Sequence, residues 1–164
     1  MFVTNHVLSG VVIGRVLRRH PVAAFAVGVV SHLVLDACPH WGCEVDVPGG
    51  KERFLRVAQR DGVLGLAAMA ALAAAAEPEV RAATVAAMAG AVLLDLDKPC
   101  DHFFGFDPFP AAVSRFHKWV QNQEEHRLPH EIGFGTALAV LDGFLTASGR
   151  RRSRMARSPV LPAA

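Results

Sequence analysis

Apolar residues fall into five runs separated by polar or proline-marked breaks: Phe2 to Leu17, Pro21 to Cys38, Gly62 to Ala76, Ala82 to Leu96, and Ile132 to Ala147. Strict alternation of apolar and polar positions never persists beyond a few residues, and the third and fourth runs are rich in Ala, Leu and Met, so all five are predicted as helices. Pro21 suits a first helical turn, Pro39 and Pro99 stand just beyond the second and fourth runs, and Glu77-Pro78-Glu79 divides the third from the fourth. The predicted fold is all-α: an up-and-down bundle of about five short, membrane-embedded helices, with two polar loops on one side.

The loops are Trp41 to Arg60, with a short amphipathic helix predicted over Glu52 to Arg60, and Lys98 to Glu131. A second amphipathic helix is predicted from Ala111 to Gln123, where Phe116, Trp119 and Val120 share a face that would cap the core. At 164 residues there is room for one domain, taken as 1–148, followed by a basic tail over 149–164 that reads as disordered. A hydrophobic fraction of 52% and a mean hydropathy of +0.30 exclude a disordered chain. The uncharged stretches are short for spanning helices, which need about 20 residues. The aromatic loop around Phe103, Phe104, Phe106 and Phe109, near Trp119, and the close-spaced small residues nevertheless suit lipid. A net charge of +2 gives no reason to expect a nucleic-acid partner.

Parity adds a sharper expectation. In an up-and-down bundle, alternate helix ends meet on one side, which gathers His6, then His32, Asp36 and His40, then Asp61, then Asp95, Asp97 and His102, and finally His130 with Glu131. Seven of the eight histidines fall on this side, His20 being the exception. His32 and Asp36 are spaced i,i+4 on one helical face, and imidazole with carboxylate suits a divalent ion such as Zn²⁺ or Mn²⁺. Asp95 and Asp97 can point the same way only if the helix ends there, as Pro99 suggests. Ionisable groups at the ends of apolar helices are costly unless paired or metal-bound. The expected metal ligands are His6, His32, Asp36, His40, Asp95, Asp97 and His102, with Asp61 or His117 as general base.

A faint repeat relates Gly28 to Asp36, followed by Cys38-Pro-His40, to Gly90 to Asp97, followed by Cys100-Asp-His102. It supports either paired ligand sets around a pseudo-twofold axis or a closed structural zinc site of Cys38, His40, Cys100 and His102 in a non-catalytic helical membrane or adaptor protein. Three cysteines are too few for a disulfide scaffold. No His is followed by Asp, and no H-E-x-x-H, P-loop or G-x-S-x-G is present.

His6 with Gly10, the run Ser31-His-Leu-Val-Leu-Asp-Ala-Cys-Pro-His40, and Gly90-Ala-Val-Leu-Leu-Asp-Leu-Asp-Lys-Pro99 resemble the bacterial membrane-bound metal-dependent hydrolases, also described as LexA-binding, inner-membrane-associated hydrolases. The resemblance implies several membrane helices, a divalent metal and hydrolysis, and His6, Asp95 and Asp97 match its pattern best. Leu94 stands where the family commonly has proline, and of its later His-Arg and Thr-His-Ser elements only His126-Arg127 comes near. The expected function is metal-dependent hydrolysis of a phosphoester or lipid-derived small molecule, with membrane lipid as a partner, in the bacterial inner membrane. Nine basic residues (Arg15, Arg18, Arg19, Arg81 and five in the tail) cluster opposite the site, against eight spread through the longer site-side loops. Their density predicts a cytoplasmic carboxyl terminus.

Overall fold

Pro21 and Pro78 each open a helix at a position where the missing N–H would have had no partner. From these starts the chain builds α1 (Val3–Leu17), α2 (Pro21–Ala37), α3 (Gly50–Ala75) and α4 (Pro78–Val92), then a 3-10 turn (Leu93–Leu96), α5 (Asp97–Phe104), α6 (Ala111–Val120) and α7 (Leu128–Arg157). The structure, a computed structural model, describes residues 1–157. The expected all-α bundle is present. The only sheet among the described residues is a two-residue parallel pairing of His40–Trp41 with Gln123–Glu124, which ties the loop after α2 to the segment after α6.

Several boundaries differ from those predicted: α5 lies inside the predicted Lys98 to Glu131 loop, α6 ends at Val120 before the short pairing at Gln123, and α7 begins at Leu128. The predicted helix over Glu52 to Arg60 and the apolar run from Gly62 form one continuous α3, because Asp61 and Gly62 interrupt the hydrophobicity without breaking the backbone hydrogen bonds. Pro99 does not follow a helix: α4 has already ended at Val92, and Pro99 occupies the first turn of α5, where proline is tolerated. The backbone of 149–157, predicted as disordered, continues α7, while the rest of the tail lies outside the described residues.

Small residues set the packing. α4 lies against both α1 and α2, and Ala24, Ala83, Ala87 and Ala91 are fully buried between them, beside Val7, Val11 and Met88. α2 and α4 run parallel through a reciprocal glycine contact. A Cβ on Gly28 would stand 2.3 Å from Ala87 O, and one on Gly90 would stand 2.2 Å from Phe25 O. The two glycines that align in the sequence repeat therefore occupy equivalent contacts.

Large apolar side chains lie outside this small-residue centre. Val22 and Val30 on α2, Val63 and Leu66 on α3, and Val140 and Phe144 on α7 are all more than half exposed. Two helical stretches, Gly50–Ala75 and Glu125–Gly149, are long and apolar enough to cross a membrane. α1, α2 and α4, at 15 to 17 residues, are shorter.

Candidate metal centre

Helix periodicity and one helix end bring the donors together. His6 lies near the start of α1, His32 and Asp36 lie one turn apart near the end of α2, and the 3-10 turn after α4 swings Asp95 toward them. α6 supplies His117 from the opposite side. His32 Nε2 is 3.0 Å from His117 Nε2 and 3.1 Å from Asp36 Oδ2, and His117 Nε2 is 3.2 Å from the same oxygen. His6 Nε2 stands 3.2 Å from Asp36 Oδ1 and 3.9 Å from Asp95 Oδ2, while His32 Nε2 is 4.0 Å from Asp95 Oδ1. The rings of His6 and His32 stack with centroids 4.0 Å apart. All five residues are buried, three of them completely.

The outer nitrogens decide which way the lone pairs point. His32 Nδ1 lies 2.7 Å from the carbonyl oxygen of Ala91, which can only accept, so Nδ1 carries the hydrogen and the neutral ring offers its Nε2 lone pair to the cluster. His117 Nδ1 faces Asp97 Oδ2 at 3.3 Å, which directs that ring the same way. A metal-ligating histidine is typically held like this, with its far nitrogen donating to a carbonyl or carboxylate.

The His32 and His117 lone pairs and the Asp36 carboxylate repel one another at these distances; Gln121 Nε2, 2.6 Å from Asp36 Oδ2 and 3.0 Å from His117 Nε2, offsets part of this, and a cation would offset the rest. Asp36 Oδ1 also accepts from the buried Met1 ammonium at 2.6 Å. At His117 burial works against the charge, but Asp36 and Asp97 outweigh it and raise the pKa to about 9. Donors about 2.0–2.1 Å from a Zn²⁺-sized ion would stand roughly 3.3 Å apart in a tetrahedron and about 2.9 Å in an octahedron, a range that includes the observed 3.0–3.2 Å.

No family model, curated protein or solved structure matches this chain. The fit to a metal therefore rests on the donors themselves, and unpartnered atoms support it. Both ring nitrogens of His6 and Oδ2 of Asp95 are buried with no hydrogen-bond partner, the 3.2 Å approach of His6 to Asp36 lacking hydrogen-bond alignment. Buried polar atoms are rarely left so. Two overlapping groups, His6 with His32 and Asp36, and His32 with Asp95 and His117, could each hold an ion.

Other predicted residues stand elsewhere. His40 is buried but turned away, with its ring nitrogens 2.8 Å from Cys38 O and 3.1 Å from Gln121 Oε1, and burial lowers its pKa. His102 is exposed on α5 against Phe103. Neither joins the donor groups, and no cysteine does so among the described residues, so the Cys38, His40, Cys100 and His102 arrangement is not assembled. Asp97 stands behind His117 instead of in the donor set, because the 3-10 turn sends the two carboxylates of Asp95-Leu96-Asp97 in different directions.

Asp61 accepts from Val3 N at 2.5 Å, Thr4 N at 3.3 Å and Thr4 Oγ1 at 2.6 Å. It caps the amino terminus of α1 from a neighbouring helix, satisfying donors that α1 cannot satisfy itself. The pairing also anchors the turn that carries His6.

α6 reverses the expected orientation. Ser114 and His117 face inward, while Phe116 and Trp119 are 49% and 79% exposed, so the aromatic face does not cap the core. Gln121, one helical turn after His117 and not among the expected site residues, donates through Nε2 to Asp36 Oδ2 at 2.6 Å. The i,i+4 spacing of His117 and Gln121 on an amphipathic helix was the available signal.

Proposed function

We propose that this chain is a membrane-bound, metal-dependent hydrolase acting on a phosphoester or lipid-derived substrate. The observation that carries this reading is the convergence of three imidazole Nε2 atoms and the Asp36 and Asp95 carboxylates, with two of the rings backed by Ala91 O and Asp97. His6, His32, Asp36, Asp95 and His117 would hold the ion, and such a nitrogen and carboxylate set suits Zn²⁺ or Mn²⁺. A divalent ion supplies hydrolytic power by lowering the pKa of water toward about 7 and polarising the bond to be cleaved. The chain's residues fix the donors, and the burial of all five restricts the access of water to them. The small-residue centre and large apolar exterior support a lipid environment, where close backbone contact replaces hydrophobic burial. The motif resemblance to membrane-bound metal-dependent hydrolases agrees with this reading.

Elemental analysis of detergent-purified protein is expected to find at least one divalent ion per chain. Hydrolysis of bis(p-nitrophenyl) phosphate should disappear with a chelator and return with Zn²⁺ or Mn²⁺. Protein without stoichiometric metal would overturn the reading. The arginine density predicts a cytoplasmic carboxyl terminus and a centre on the opposite side. A C-terminal tag accessible to an impermeant reagent from outside intact cells would reverse that orientation.

A further inference from the structure

The centre is sealed on most sides, but a cavity of about 390 Å³ lies beside it between α3 and α5. Asp95 both belongs to the donor set and lines this cavity, so it marks the connection between them. The remaining wall is overwhelmingly apolar, with Phe54, Val63, Leu66, Met69 and Phe103 among its residues. Val63, Leu66 and Phe103 are also 68%, 67% and 63% exposed, so the wall continues into the outer apolar face of α3 and α5. A mouth of this composition suits lipid better than bulk water.

The charged lining groups have distinct tasks, the Met1 ammonium being paired with Asp36 Oδ1 at 2.6 Å. Asp61 is committed to the amides of α1, and Asp95 faces the donor set. Lys98, one turn from Asp95 and paired with it, places an ammonium beside the connection while its side chain stays 39% exposed. If Asp95 turns its charge to a metal ion, Lys98 loses part of its compensation and favours an anionic group at that point.

We infer that this cavity takes a single-chain anionic amphiphile drawn sideways from the bilayer, with its head at Lys98 beside the metal centre and its chain along α3. The inference rests on the membrane-bound hydrolase reading and names the substrate class for that site. An acyl chain passes from lipid into an apolar cavity with little change of surroundings and tethers its anionic head at Lys98, a restraint that a free anion at this partly exposed ammonium lacks.

The test measures binding of radiolabelled dodecyl phosphate to the full chain in nanodiscs of zwitterionic lipid, with metal content determined on the same samples. Saturable binding near one per chain is expected. Inorganic phosphate should compete at least about a hundredfold less well, and dodecyltrimethylammonium should not compete. Lys98→Met should weaken binding about tenfold. Leu66→Trp and Val63→Phe, which fill the mouth, should abolish binding while leaving metal content and size-exclusion profile unchanged.

Equal competition by inorganic phosphate would overturn the inference in favour of a plain anion site, as would undiminished binding in both mouth-filling variants. Metal-free protein that still binds dodecyl phosphate through Leu66 would remove the hydrolase reading and leave the cavity's occupant standing. Metal-loaded, folded protein that binds none would remove the occupant and leave the hydrolase reading.

Discussion

His32→Ala is expected to leave the protein without stoichiometric metal, whereas Asp97→Asn should keep the stoichiometry at saturation and lose about 10–100-fold in affinity. The contrast follows from which atoms face the centre. His32 Nε2 lies within 4.0 Å of donors from Asp36, Asp95 and His117, and it belongs to both candidate groups, so its removal breaks each. Asp97 meets only the far nitrogen of His117 and acts by holding that ring in place. Elemental analysis after dialysis would measure the first effect, competition with a chelating dye the second, and circular dichroism would establish that both variants retain their helices. Loss of metal in Asp97→Asn with retention in His32→Ala would invert the assignment of ligand and positioning residue.

Gly90→Leu should prevent recovery of a folded, monodisperse protein in detergent. At this position an added Cβ meets the Phe25 carbonyl oxygen at 2.2 Å and the Val29 amide nitrogen at 3.2 Å. Neither is the end of a flexible side chain, so α2 and α4 would have to separate along their contact. Overpacking usually costs about 1–3 kcal/mol when side chains can shift, and displacing a helix backbone belongs at or above the upper end of that range. Separation would also move His32 and Asp36 relative to Asp95, so metal should be lost with the fold. Gly143→Ala provides the control: nothing lies within 4 Å of its added Cβ, and the melting temperature should hold or rise slightly. A Gly90→Leu variant melting with the parent would mean that α2 and α4 do not make this contact.

Helix identity was legible because its signals are local. Pro21, Pro78 and the Ala-rich runs act through backbone geometry and side-chain entropy within a turn or two. The gathering of His6, His32, Asp36 and Asp95 was also legible, since alternating helix direction leaves little freedom in which ends meet. The continuity of α3 was harder to see, because a charged residue in an apolar run resembles a boundary until a partner for it is known. Asp61 has that partner in the backbone of α1. His117 was expected at the centre as a general base and stands instead among the donors. The buried face of α6 was harder to see: Phe116 and Trp119 give it a plausible core face, and only packing against Asp36 and Asp97 reveals that its polar side is the buried one.

By itself, then, the sequence determined that the chain is helical, that its small residues permit close helix contact, and that one end of the bundle collects histidines and carboxylates. Only the tertiary structure decided which of those groups share a centre, that Asp97 backs a ring, that His40 and His102 stand aside, and that an apolar cavity meets the centre at Asp95. The physical reason is range. Helix propensity and periodicity act over neighbouring residues, whereas a donor set depends on separations near 3 Å between side chains as far apart as His32 and His117. Those separations are fixed by how α2, α4 and α6 pack, and by a single 3-10 turn whose direction follows from the packing around it.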